Sequence, residues 1–292
     1  MAMPRNAATS VQTVRVGKIL TRSSGYLVGV TSHSLQPYRG CTYGRSLCGV
    51  ACYVQHHGLV TRGRPWGSFL EARVNAAESY RESAAAERRW ARRARGAFSI
   101  FLSSATDPFV PQERRLGITR ALLDAMLDEP PDALVVQTHV ADVAREVARL
   151  RALAARCALR VHVSIESDRD RLPGLPPPAS SVERRLAALR TLREAGVFTV
   201  ATLSPLLPIA DPTAFFRRIA TCADAVVVDH FVEGDGTPDG ARTLRTALPR
   251  VMEAVSPGST RLGYRDEIAA AARAVLPGRV GVSREGFAGR YT

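Results

Sequence analysis

Lysine is almost missing from this chain: it occurs once, at Lys18, so 39 of the 40 basic residues are arginine. Long apolar runs are missing as well. No stretch of 18 consecutive apolar residues occurs, which argues against a membrane-spanning helix, and residues 1–16 hold no apolar signal-peptide core. Arg5 and Arg15 among serines and threonines are only a faint organellar signature, so the cytoplasm is the expected compartment. Cysteine is scarce, with five residues, three of them between positions 41 and 52. That clustering excludes a secreted disulfide framework and indicates a metal or redox cluster. Disorder is excluded by the 46% hydrophobic and 23% charged composition, ordinary for a globular protein.

The formal net charge is +13. Clustered cations gain affinity for phosphates by releasing counterions, so nucleic acid is a candidate substrate. The preference for arginine over lysine, with abundant alanine and proline, also fits the codon bias of a GC-rich genome. Such bias selects the type of base, not the excess of base over acid. The strongest basic run, Arg88 to Arg95, carries Trp90 and reads either as a strand-tracking patch with a stacking ring or as the solvated face of a helix.

From residue 98 onward, short apolar runs alternate with helical patterns, as βα units of a parallel sheet do. Strands are expected over 34–39, 98–102, 133–137, 160–165, 198–203 and 225–229, and helices over 112–127, 140–155, 181–195 and 212–222. Ser181 suits an N-cap and Gly196 a left-handed C-terminal stop. The proline-rich 173–180 and the glycine-rich 232–241 are loops. The expected fold is α/β, a partial (open) TIM-like barrel of about six parallel βα units, with residues 1–30 as an N-terminal extension and 31–292 as the barrel domain. In such barrels the loops after the strands' C-terminal ends carry function. The three cysteines, Asp107, Glu166 and the 205–211 segment all fall at such ends.

Cys41, Cys48 and Cys52 stand in a loop with Gly40, Gly44 and Gly49, which permit tight turns. Spacing alone admits an iron–sulfur cluster, a zinc site or buried structural thiols. Cys157 and Cys222 lie where a thiol usually acts as a small buried hydrophobe, and they leave no set for a second cluster. His56 and His57 follow the loop and read as surface groups or as substrate contacts.

The context of the cysteines adds a resemblance. Ser24-Gly25-Tyr26 and Ser34-Leu35-Gln36-Pro37-Tyr38-Arg39-Gly40-Cys41 resemble the entry to the cluster loop of radical S-adenosylmethionine enzymes of the spore photoproduct lyase-like family. Further similar elements follow in order: Thr106-Asp107-Pro108-Phe109-Val110-Pro111-Gln112-Glu113, Ser164-Ile165-Glu166, Glu183-Arg184-Arg185-Leu186 and Gly286-Phe287-Ala288-Gly289-Arg290-Tyr291. Together they span about residues 22–292. One departure stands out, since the family's Cys-x3-Cys-x2-Cys is here Cys-x6-Cys-x3-Cys.

The resemblance implies a [4Fe-4S] cluster held by Cys41, Cys48 and Cys52, and S-adenosylmethionine cleaved reductively to a 5′-deoxyadenosyl radical. It implies Thr106, Asp107 and Pro108, with Ser104 nearby, at the cofactor's amino group; Ser164 and Glu166 at its ribose; Arg185 or Arg184 at its carboxylate; and Tyr53 and Leu207 beside adenine. It also implies an external electron donor such as a flavodoxin or ferredoxin, and a substrate that is a small molecule, a peptide or a nucleic acid. Lesion lyases of this family are similar in using a cysteine near the second strand to return hydrogen. Here that stretch reads Ser103-Ser104-Ala105.

Overall fold

The computed structural model describes residues 9–292. Eleven strands fall into two sheets: β1 (Ser10–Val14), β2 (Leu20–Arg22), β3 (His33–Leu35), β4 (Tyr38–Gly40), β5 (Phe69–Arg73), β6 (Ser99–Leu102), β7 (Ala133–Thr138), β8 (Ala158–Ser164), β9 (Thr199–Leu203), β10 (Ala225–Val228) and β11 (Val280–Val282). The large sheet runs β11-β10-β9-β8-β7-β6-β3-β2. Its neighbours from β3 to β11 pair in parallel, and β2 closes one edge antiparallel to β3. The sheet does not close on itself, so the fold is the expected α/β, partial TIM-like barrel, with seven parallel strands.

Side chains alternate across the sheet with the period of two that strands impose. On β8, Leu159, Val161 and Val163 point to the outer helices and join the main core. The inward set on the floor of the barrel is Phe101, Val135, Val200 and Val227, packed on Phe287 from the C-terminal turn. Outside lie helices such as Val182–Glu194, capped by the Ser181 hydroxyl as the sequence indicated, and Pro212–Ala220, capped by Asp211.

Three elements differ from the sequence expectation. The strand expected over 34–39 is broken: β3 ends at Leu35, and β4 turns into the small sheet β1-β5-β4. Pro37 lies at the break and has no N–H for a ladder, while its carbonyl accepts from Arg73 N of β5. The helix expected over 112–127 is two, Glu113–Leu116 and Ile118–Asp128, hinged at Gly117 with φ +63°. The helix expected over 140–155 begins as a 3₁₀ turn, Ala141–Glu146, before Val147–Ala154. Of the segment read as an extension, residues 1–8 lie outside the described residues, whereas β1 pairs with β5 and β2 with β3.

The basic run lies on the helix Ala76–Arg95 and is engaged by the fold in part, while Arg89, Arg93 and Arg95 are exposed. Arg88 pairs with Glu129 and Arg92 with Asp132. Trp90 packs edge-on to the buried His33 under the Arg22 guanidinium, so its ring is committed to the protein. No helix among the described residues is long and apolar enough to cross a membrane.

Candidate active site

The cysteines are positioned by close backbone approaches. Gly40 sits at φ +100°, a conformation L side chains rarely adopt, and a Cβ there would collide with the Phe69 carbonyl oxygen. A Cβ on Gly49 would collide with the Tyr43 carbonyl oxygen. Ser46 caps the short helix Leu47–Ala51, which carries Cys48, and Cys52 ends it. Burial, together with the mutual repulsion of their thiolates, raises the Cys41 and Cys48 thiols well above their ordinary range. Cys52 is pushed up by burial to about 11, held back by the Val54 and Gln55 backbone N–H groups. Three such thiols become thiolates together only beside compensating positive charge. Among the described residues, no three His, Cys, Asp or Glu side chains close round a point as a single metal ion requires.

All three thiols face a cavity of about 260 Å³, whose wall also carries Tyr53, Ser104, Thr106 and Asp107. A smaller cavity of about 60 Å³ adjoins it, sharing Cys48, Cys52 and His139, and is lined by Glu166, Arg185, Pro205 and Leu207. Of the residues expected to touch the cofactor, Pro108, Ser164 and Arg184 line neither, and of the two histidines after the cysteine loop His57 lines the larger cavity and His56 does not. The Pro108 carbonyl accepts from Thr119. Ser164 lies one layer deeper than Glu166, where its hydroxyl accepts from Gln137 Nε2 at 2.8 Å, so the expected approach of Ser164 to a ribose does not match its place. The two arginines differ in burial: Arg184 is exposed, whereas Arg185 is 2% exposed and faces the smaller cavity.

Two carboxylates set the electrostatics of this side. Glu166 accepts from Arg185 Nη1 at 2.5 Å and meets His139 Nδ1 at 2.9 Å. Burial would raise Glu166, but the Arg185 cation and the His139 imidazole overcome it and hold it at about 2. His139 is raised in turn, because its bond to Glu166 outweighs burial. Asp107 accepts from Phe109 N at 2.8 Å, His139 N at 2.7 Å and the Thr138 hydroxyl at 3.0 Å. Burial still raises it, despite those donors. Gln36 clamps the loop between, donating to the Ser104 hydroxyl and accepting from Thr106 N.

The opposite wall was not singled out in the sequence. Asp229, 2% exposed, follows β10 and accepts from Ser204 Oγ at 3.0 Å and Tyr26 Oη at 3.4 Å. Burial raises it to about 6, outweighing the hydroxyls of Ser204, Ser283 and Tyr26 and the Arg265 charge, which lower it. Asp229 and His139 stand at the ends of strands that the sequence did show, so the strand-end rule that selected Asp107 and Glu166 would have found them. Nothing local in the sequence marks Gln137, which binds Ser164 and Thr202 from within β7.

Comparison with solved structures finds spore photoproduct lyase. A cysteine-to-alanine variant of that protein with dinucleoside spore photoproduct aligns at a TM-score of 0.59, with 16% identity over 94% of this chain and 80% of that one. A doubly substituted variant with bound AdoMet and the same dinucleoside aligns at 0.59, with 15% identity over 94% and 81%. At such identity the likeness is one of fold, and this chain has that fold. No protein-family model matches the chain, and no curated protein matches its sequence.

Several buried polar atoms around these cavities lack a partner within the protein: Thr42 Oγ1, Ser103 Oγ, Thr106 Oγ1, Gln137 Oε1 and Arg185 Nε. Leaving such atoms unpaired costs about 1–3 kcal/mol each. A ligand rich in hydroxyl, amino and carboxylate groups satisfies them, and a cationic cluster satisfies the thiols. The donor set therefore fits S-adenosylmethionine beside an iron–sulfur cluster.

Proposed function

We propose that this chain is a radical S-adenosylmethionine enzyme acting on an unassigned substrate. When bound, a [4Fe-4S] cluster on Cys41, Cys48 and Cys52 supplies the electron that splits S-adenosylmethionine into methionine and a 5′-deoxyadenosyl radical, which takes hydrogen from the substrate. The observation that carries this reading is convergence: three thiols of one loop meet the strand-end residues Asp107, His139, Glu166, Ser204 and Asp229 around two adjoining cavities. The fold shared with spore photoproduct lyase supports it.

In this reading the chain's own residues bind, orient and exclude water. Arg185, fixed by Glu166, offers Nε to a carboxylate. Asp107 turns its charge toward an ammonium, and Thr106 adds its unpartnered hydroxyl. Glu166 accepts from ribose hydroxyls. Pro205 and Leu207 give adenine an apolar edge, and Tyr53, hydrogen-bonded to the Ser104 carbonyl at 3.5 Å, faces it across the site. Ser103 and Ser104 set this chain apart from the lesion lyases: an O–H bond is too strong to return hydrogen as a thiol does, so substrate or hydrogen donor differs.

The test is anaerobic reconstitution with iron analysis and absorption in the thiolate-to-iron region. Cys41→Ala, Cys48→Ala and Cys52→Ala each lose the cluster, while Cys157→Ala and Cys222→Ala keep it. With dithionite and S-adenosylmethionine the intact protein releases 5′-deoxyadenosine. Full iron in any of the first three variants removes that thiol as a ligand, and one zinc with no iron overturns the reading.

A further inference from the structure

The segment that follows the cysteines has an unusual surface. Tyr53–His56 and Gly58–Thr61 continue directly from Cys52. The turn Thr243–Arg245 and the helix Leu248–Val255 lie against the cysteine loop. Leu248 packs with Leu47 and Ala51, and the Arg242 and Arg245 charges are near enough to act on His57 and His56. Acid is scarce on both: there is no Asp or Glu from Gly40 to Leu70, and from Gly240 to Val255 Glu253 alone. Arg62, Arg245 and Arg250 are exposed on them. So are two of the large apolar side chains that the described residues leave in solvent, Leu59 at 83% and Leu244 at 55% exposure.

We propose that this face docks an acidic carrier protein that delivers single electrons to the site behind Cys52. The proposal rests on the radical S-adenosylmethionine reading, which needs an outside electron. In the docked complex the carrier is oxidised by one electron and the iron site is reduced by one, with no group transferred. A rim in which arginines outnumber acids complements and steers an acidic partner. Aliphatic side chains inside a charged rim are the pattern of a protein interface. Nucleic acid is the poorer match, because base stacking calls on aromatic rings, and this patch exposes leucines instead.

The experiment follows reduction of the reconstituted protein by stopped flow. One donor is a reduced flavodoxin, as the acidic carrier, and the other is dithionite, which needs no docking. Iron is measured first. The variant Arg62→Glu/Arg245→Glu/Arg250→Glu is expected to slow reduction by flavodoxin about 10- to 1000-fold at low salt, the range of electrostatic steering. Leu59→Ser/Leu244→Ser is expected to raise the concentration for half-maximal rate. Both are expected to keep wild-type iron content and wild-type reduction by dithionite. Unchanged flavodoxin rates overturn the docking site alone. Variants that lose binding to an oligonucleotide duplex but keep flavodoxin rates also overturn it and assign the face to nucleic acid. A wild-type chain that takes up no iron overturns the reading beneath, and the proposal with it.

Discussion

Glu166 and Asp229 both follow barrel strands and both are nearly buried, at 7% and 2% exposure, yet they keep opposite electrostatic company. Glu166 is bracketed by the Arg185 guanidinium and the His139 ring. Asp229 has the hydroxyls of Ser204, Tyr26 and Ser283 at hand, with the Arg265 charge the smallest of the influences that favour its ionised form. One wall is thus a closed ionic unit whose geometry is set before any ligand arrives. The other holds a carboxylate whose charge is offset by hydroxyls and the Arg265 cation less than burial disfavours it. Burial alone does not fix what a carboxylate does; its partners decide.

The sharpest way to break the contrast is to remove charge from the closed unit. Glu166→Gln leaves the Arg185 cation buried without a counter-charge, and breaking a buried pair on one side costs about 3–5 kcal/mol. Urea unfolding at pH 7 is expected to show that loss, and a change within about 0.5 kcal/mol would mean that solvent reaches Arg185.

Next in size is the pH dependence, where the two carboxylates act with opposite sign. Glu166 is held at about 2, below the ordinary 4.5, so its contribution is full above about 4.5 and is lost as pH falls toward 2. Asp229 is raised from 3.8 to about 6, so the protein is favoured while that group is protonated and loses the benefit as pH rises through about 6. At about 1.4 kcal/mol per pH unit of displacement, each effect is about 3 kcal/mol. Asp229→Asn does not titrate, so its stability relative to the native chain is expected to rise by about 3 kcal/mol between pH 4 and pH 7. An unfolding difference that stays flat across that window would show that Asp229 is ionised at little cost.

The smallest effect concerns Asp107, intermediate between the two because backbone donors fix it while its charge still faces the cavity. Asp107→Ala is expected to weaken S-adenosylmethionine binding by roughly ten- to a hundredfold, the loss of about 1–3 kcal/mol for one charged hydrogen bond. Calorimetric titration into reconstituted protein measures it. Unchanged affinity would confine Asp107 to holding the His139 turn.

Much of this site was legible because strands announce their ends. The run Leu134-Val135-Val136 shows a buried strand, and the polar residue that follows such a run lies at the rim. Ser164 shows where that rule needs care. It shares a face with Glu166, but two residues back along a parallel strand is about 6.6 Å deeper, which places its hydroxyl in the polar layer with Gln137. Arg184 stayed an alternative to Arg185 because a helix pattern fixes which faces are apolar only after its neighbours are known.

The sequence by itself determined the alternation of strands and helices, the thiol cluster, the glycines its loop requires and the strand ends where polar chemistry collects. Those follow from local sterics and from the two- and 3.6-residue periods, which act over a few residues. Only the tertiary structure decided that Trp90 serves the core beside His33, that the chain leaves the main sheet at Pro37, and that Arg185 reaches Glu166 while Asp229 is met mainly by hydroxyls. Each of these depends on residues far apart in the chain. Their pairing is set by how the strands tilt and the helices pack, which no local window contains.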